Sequence, residues 1–195
     1  MFKSIHKMKV REDRGFTLVE LLIVVAIIGI LAAIAIPQFG AYRRRGYNAS
    51  ALSDLRNLRT TEEAMMADFQ DYGASHTSAT TYDNVGVVVG SATATATVIL
   101  GSARTTTTAQ TVSLSRGVST IIDATENNGL NNLYLAKATH GSGDLVYGAE
   151  SDVTSMWRSN CATAGTCTTG TTDLQKNPVD ATSSGELNVA TWTQM

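Results

Sequence analysis

Cysteine and histidine are scarce in this 195-residue chain, which has only Cys161 and Cys167, and His6, His76 and His140. Those five residues at those spacings write no zinc framework, and five residues between the cysteines is not a CxxC redox pair. No GxSxG elbow occurs, and no internal repeat. His140, Ser142 and Asp144 fall within five residues, too close for a base held between a nucleophile and an orienting acid, so they read as turn chemistry. These absences leave no catalytic residue, no metal site and no cofactor to assign; the chain reads as a non-enzyme. A broad basic field is also missing, because the formal net charge is −2. The charge is uneven, however. Residues 1–15 carry Lys3, Lys7, Lys9, Arg11 and Arg14 against Glu12 and Asp13, a net +3 that leaves −5 for residues 16–195.

Behind the basic head lies an almost uncharged stretch. Residues 16–36, FTLVELLIVVAIIGILAAIAI, hold a single ionisable side chain, Glu20. As a helix they span about 30 Å, the thickness of a bilayer core. A basic head before such a run is a targeting signature, and it places the head in the cytoplasm with the remainder across the membrane. An ordinary secretory signal would end in a small-residue A-x-A site with a separate mature start, whereas here the helical pattern runs on through Ala32, Ala33 and Ala35. A carboxylate inside a bilayer-length helix costs several kcal/mol unless paired, so Glu20 reads as functional; the alternative is an acid near a helix end reaching the headgroups. Pro37 removes a helical N–H and crowds the carbonyl of Ala33, and Gly29 lowers helix stability by about 1 kcal/mol relative to Ala. Both predict a kink or a weak stretch.

The segment Gly15-Phe16-Thr17-Leu18-Val19-Glu20 with its apolar run resembles the prepilin motif of type IV pilins and of the related type II secretion pseudopilins. The resemblance covers about twenty-five residues. It implies cleavage between Gly15 and Phe16 by a prepilin peptidase, N-methylation of Phe16 by the same enzyme, and a mature chain of 180 residues. It implies that Glu20 pairs with the Phe16 ammonium of a neighbouring subunit during assembly, and that helix between Gly29 and Pro37 can unwind in the filament. The implied partners are further copies of the chain, an inner-membrane assembly platform with ATPase motors, and membrane lipid before assembly.

Beyond Pro37 the pattern turns amphipathic. Ala51, Leu55, Leu58, Met65, Phe69 and Tyr72 recur near helical spacing with Asp54, Arg56, Arg59, Glu62, Glu63 and Asp68 between them, which predicts one helix over residues 16–72 stopped by Gly73. Residues 73–195 contain 24 threonines and only 14 charged side chains, a composition suited to strands. Short runs at 85–89, 95–100, 111–114, 118–122, 133–138 and 145–147 are punctuated by Asn128-Gly129, Gly141 and Gly143-Asp144, the last two inside an expected hairpin over 133–147. The expectation is an α+β pilin fold: a cleavable leader (1–15), a membrane and filament-core helix half (16–39), an amphipathic half (40–72) packed on an antiparallel sheet, and a Thr-rich sheet domain (73–195). If the latter half lies outside the cytoplasm, Cys161 and Cys167 most simply form a local disulfide worth roughly 2 kcal/mol.

The functional expectation is the structural subunit of a type IV pilus, serving surface adhesion and twitching motility. One alternative is a type II secretion pseudopilin. The major pseudopilins carry Tyr-Pro-Thr soon after the long helix, where this chain reads Asp71-Tyr72-Gly73-Ala74-Ser75. A second is a minor pilin for DNA uptake, supported only by Arg43-Arg44-Arg45 on an acidic mature chain; that run reads first as contact with lipid headgroups before assembly and with acidic residues of neighbouring subunits after it. A third is extracellular electron transfer, suggested by Phe16, Phe39, Tyr42, Tyr47, Phe69 and Tyr72; such aromatics more often serve packing.

Overall fold

A computed structural model of the chain describes residues 15–77, 88–91, 94–101, 109–127, 130–161, 167 and 192–195. The basic head, the expected turn at Asn128-Gly129 and most of the run at 85–89 lie outside the described residues. The chain divides into two compact units, 1–41 and 42–195. Helix α1, Leu18–Phe69, begins in the first and ends in the second, and it is helical through both Gly29 and Pro37.

In the first unit the large apolar side chains of residues 16–39 are all exposed. Among the described residues no face of this stretch is covered, in keeping with an apolar pattern that runs all round the helix.

The second unit is where α1 finds a core. Ala51, Leu55, Leu58 and Met65 are at most 1 % exposed and recur at helical spacing, one stripe of the helix. Nine strands are found among the described residues: β1 Ala74–His76, β2 Val89–Gly90, β3 Ala96–Gly101, β4 Ala109–Leu114, β5 Val118–Asn127, β6 Leu130–His140, β7 Leu145–Glu150, β8 Met156–Asn160 and β9 Thr193–Gln194. They form two antiparallel sheets, ordered β1-β3-β4 and β2-β5-β6-β7-β8-β9. The helix stripe shares one core with Val98 and Leu100 of β3, with Ile122 and Ala124 of β5, and with Tyr134, Ala136 and Ala138 of β6. The alanines in this sheet face leave room for the helix backbone to approach. On the opposite face Ile121, Leu135, Val146 and Trp157 gather with Cys161, Cys167 and Trp192 into a second cluster. The large sheet is therefore covered on both faces, and its strands still read as mixed runs because polar residues such as Ser119, Thr120, Asp123 and Lys137 are buried in it too.

Three expectations need correction. The helix stops at Phe69, not Tyr72, because Gln70 adopts a left-handed conformation (φ 56°) with its N–H on the Met66 carbonyl. Gly73 is needed for closeness rather than as a stop: a Cβ there would sit 3.0 Å from Met65 Cε and 3.1 Å from the Gly101 nitrogen. Glu62 and Asp54, which the amphipathic pattern assigns to the polar side, are buried. Glu62 lies four residues beyond Leu58 and three before Met65, squarely in the apolar stripe.

Candidate assembly surface

Gly15 and Phe16 precede the helix in exposed chain, and Phe16 is 88 % exposed. The peptide bond between them is free of secondary structure. Thr17 then starts the helix as its N-cap. The Glu20 N–H donates to Thr17 Oγ1 (3.2 Å), while Glu20 Oε2 accepts both the Thr17 N–H and the Thr17 hydroxyl at 2.8 Å. This reciprocal capping box contributes about 1 kcal/mol to the helix end. Its sequence signature is Thr17-x-x-Glu20, a hydroxyl at the cap with an acid three residues later. Both roles fit one carboxylate, since Oε2 takes the Thr17 donors and Oε1 makes no bond among the described residues.

Downstream, an added Cβ at Gly29 would meet nothing within 4 Å. Packing inside the chain therefore does not demand glycine at that position. Pro37 is carried within α1, so the helix forgoes the hydrogen bond that proline cannot donate. The aromatics are divided between two settings. Phe39 and Tyr42 are exposed, whereas Tyr72 meets Tyr134 edge-on at 4.8 Å and Tyr47 stacks on His140 at 4.3 Å.

The turn between β6 and β7 gathers the residues that a hydrolase reading would have used, and gives them structural work. The Ser142 N–H donates to His140 Nδ1 (3.0 Å), and His140 Nε2 faces the Arg116 carbonyl (3.1 Å). With Nδ1 accepting, the ring is the neutral tautomer that donates from Nε2. Burial lowers the His140 pKa, opposed by the Arg116 carbonyl and by Asp54. Asp144 faces the helix instead: Asn48 Nδ2 donates to its carboxylate (2.6 Å), its own N–H donates to Asn48 Oδ1 (3.1 Å), and Arg44 Nε lies 3.7 Å away. Cys161 and Cys167 form the expected disulfide, and their N–H groups donate to the carbonyls of Asp144 and Gly143. The turn thus ties helix, hairpin and disulfide loop together.

A family model described as "Prokaryotic N-terminal methylation motif" matches residues 10–36. Among curated proteins the chain is 43 % identical over 76 residues to a fimbrial protein of Pseudomonas aeruginosa, covering 39 % of this chain and 49 % of that one. It is 48 % identical over 61 residues to the type IV major pilin protein PilA of Myxococcus xanthus, covering 31 % of this chain and 28 % of that one. It is 49 % identical over 61 residues to the type IV major fimbrial protein FimA of Dichelobacter nodosus, covering 31 % and 39 %. The matches therefore span about half the length of these relatives or less. No solved structure matches the chain significantly. Over the stretches these matches cover, the chain is similar to type IV pilins, and it joins a long helix to antiparallel sheets.

Proposed function

We propose that this chain is the structural subunit of a type IV pilus-like filament, made as a precursor and cut between Gly15 and Phe16. The observation that carries the reading is the bare apolar stretch from Phe16 to Phe39, helical from Leu18, which contains one carboxylate and, among the described residues, no covered face. Such a surface needs either lipid or its own copies. Lipid comes first: the subunit waits in the inner membrane, anchored by this helix, with the β-rich unit outside the cytoplasm. Moving the helix from lipid into a filament gains little from the hydrophobic effect, because lipid tails are as apolar as leucine. Helix packing and charge pairing must supply the selectivity, and an assembly platform with ATPase motors supplies the work. Once out of the membrane, each large apolar side chain returned to water would cost roughly 1.5–3 kcal/mol, which holds the filament together.

Glu20 gives the register. Cleavage frees the Phe16 ammonium, which the peptidase also methylates, and the open Oε1 of Glu20 on an adjacent subunit accepts it. An incoming subunit out of register would leave both charges unpaired in an apolar core. Gly29 and Pro37 bracket the stretch best suited to unwind when the filament is pulled. The β-rich units form the outer surface and serve adhesion and twitching motility. Glu20→Leu should leave processing intact and abolish filaments; electron microscopy of sheared cell surfaces reads this, and normal filaments from the variant would overturn the proposal.

A further inference from the structure

We propose that Arg43 and Arg45, with Tyr42, form a collar that binds the phosphates of anionic phospholipid at the far membrane face; this rests on the membrane-anchored reading above. Helix length sets the depth of each residue. From Leu18 to Phe39 the helix runs about 33 Å, against a hydrocarbon core of about 30 Å and a bilayer of about 40–45 Å with headgroups. The next residues of the same helix, 40–45, fall at headgroup depth, and they read GAYRRR. Successive helical residues are turned by about 100°, so three arginines in a row spread around the rod instead of lining one side.

The three are not equivalent. Arg44 is engaged with Asp144, while among the described residues Arg43 and Arg45 meet no carboxylate. Each is instead held on an aromatic ring. The Arg43 guanidinium lies 5.7 Å from the Tyr47 ring centre and donates to its hydroxyl at 2.8 Å, and that of Arg45 lies 5.6 Å from the ring centre of Tyr42. The ring restrains the guanidinium; one Arg43 donor is taken by the Tyr47 hydroxyl, and the remaining edge donors of both arginines match phosphate oxygens in pairs. Tyr42 is 66 % exposed, the ring-and-hydroxyl combination favoured at membrane interfaces.

Charge placement points the same way. From Phe16 to Tyr42 the chain has no Lys or Arg, so removal of the leader leaves the collar as the basic cluster beside the apolar run, on the face where the positive-inside bias gives no reason for one. An anionic surface there supplies the reason.

The test uses flotation of the full chain, added from dilute detergent to phosphatidylcholine vesicles or to vesicles containing one-third phosphatidylglycerol, at low and high salt. Wild type should float with both, prefer phosphatidylglycerol, and lose that preference at high salt. Arg43→Gln/Arg45→Gln should still float with phosphatidylcholine but lose about fivefold in the phosphatidylglycerol preference for each arginine removed. Leader charges are common to both proteins, so the difference isolates the collar, and Arg44–Asp144 stays intact. Arg43→Lys/Arg45→Lys should keep most of the preference. No lipid preference in wild type, an unchanged preference in the Gln variant, or its loss in the Lys variant would overturn the collar. Stronger wild-type binding to a DNA duplex than to the anionic vesicles would overturn it in favour of a nucleic-acid surface. Failure of wild type to float with either vesicle would instead overturn the membrane-anchored reading beneath it.

Discussion

Replacing Glu62 with glutamine should make the folded β-rich unit more stable at high pH while barely changing it at low pH. Glu62 is fully buried; its Oε2 accepts the Gly73 N–H at 2.9 Å and its Oε1 has no hydrogen-bond partner among the described residues. Burial pushes its pKa up to about 8, with the Gly73 bond opposing and Glu63 and Asp71 adding to the rise. In the unfolded chain the same group titrates near its ordinary value of 4.5. Folding therefore holds a proton that the unfolded chain releases between those two values. The contribution is fully present below about pH 4.5, declines as pH rises toward 8, and stays low above it. At about 1.4 kcal/mol per pKa unit the full swing is roughly 3–5 kcal/mol. Glutamine keeps the acceptor for Gly73 and cannot ionise. Denaturant unfolding in detergent at pH 5, 7 and 9, followed by near-ultraviolet circular dichroism, should show the stability of Glu62→Gln overtaking wild type as pH rises. Parallel curves across that range would refute the reasoning.

Further tests address the elements that hold the turn and the helix end. Asn48→Ala removes two hydrogen bonds to Asp144 and should cost about 2–3 kcal/mol in the same unfolding assay, with hydrogen exchange rising first at residues 141–145. Gly73→Ala places a methyl against the Gly101 and Leu100 backbone and should destabilise by about 1–3 kcal/mol, read as a lower midpoint. Reducing Cys161–Cys167 should cost about 2 kcal/mol and leave the helical circular dichroism signal unchanged, because the bridge closes only a short loop.

Much of the fold was legible in the chain. The helix was, because its apolar spacing runs far longer than any competing pattern. Its end was not: Gln70 in a left-handed conformation has no sequence signature, and Gly73 nearby offered a more obvious stop. The strands expected at residues 95–100, 111–114 and 118–122 announced themselves by β-branched residues. By contrast β5 and β6 were cut short, because Asp123 and Thr139 look like surface or turn residues although both are buried. Polar groups inside a sheet covered on both faces break the alternation on which strand reading depends. Strand β1, Ala74–His76, was missed because three small or polar residues carry no periodicity. Glu62 was misplaced for a related reason: residue type assigned it to solvent, while its spacing from Leu58 and Met65 had already placed it in the core. At the proposed assembly surface the lone acid in the apolar run was readable, whereas the rings beside Arg43 and Arg45 needed coordinates.

The most direct test of the central claim is the mass and N-terminal sequence of the subunit recovered from purified surface filaments. The account predicts a polypeptide that begins at N-methylated Phe16 and retains residues 16–39. A filament subunit, or a secreted monomer, that begins beyond Pro37 would contradict it.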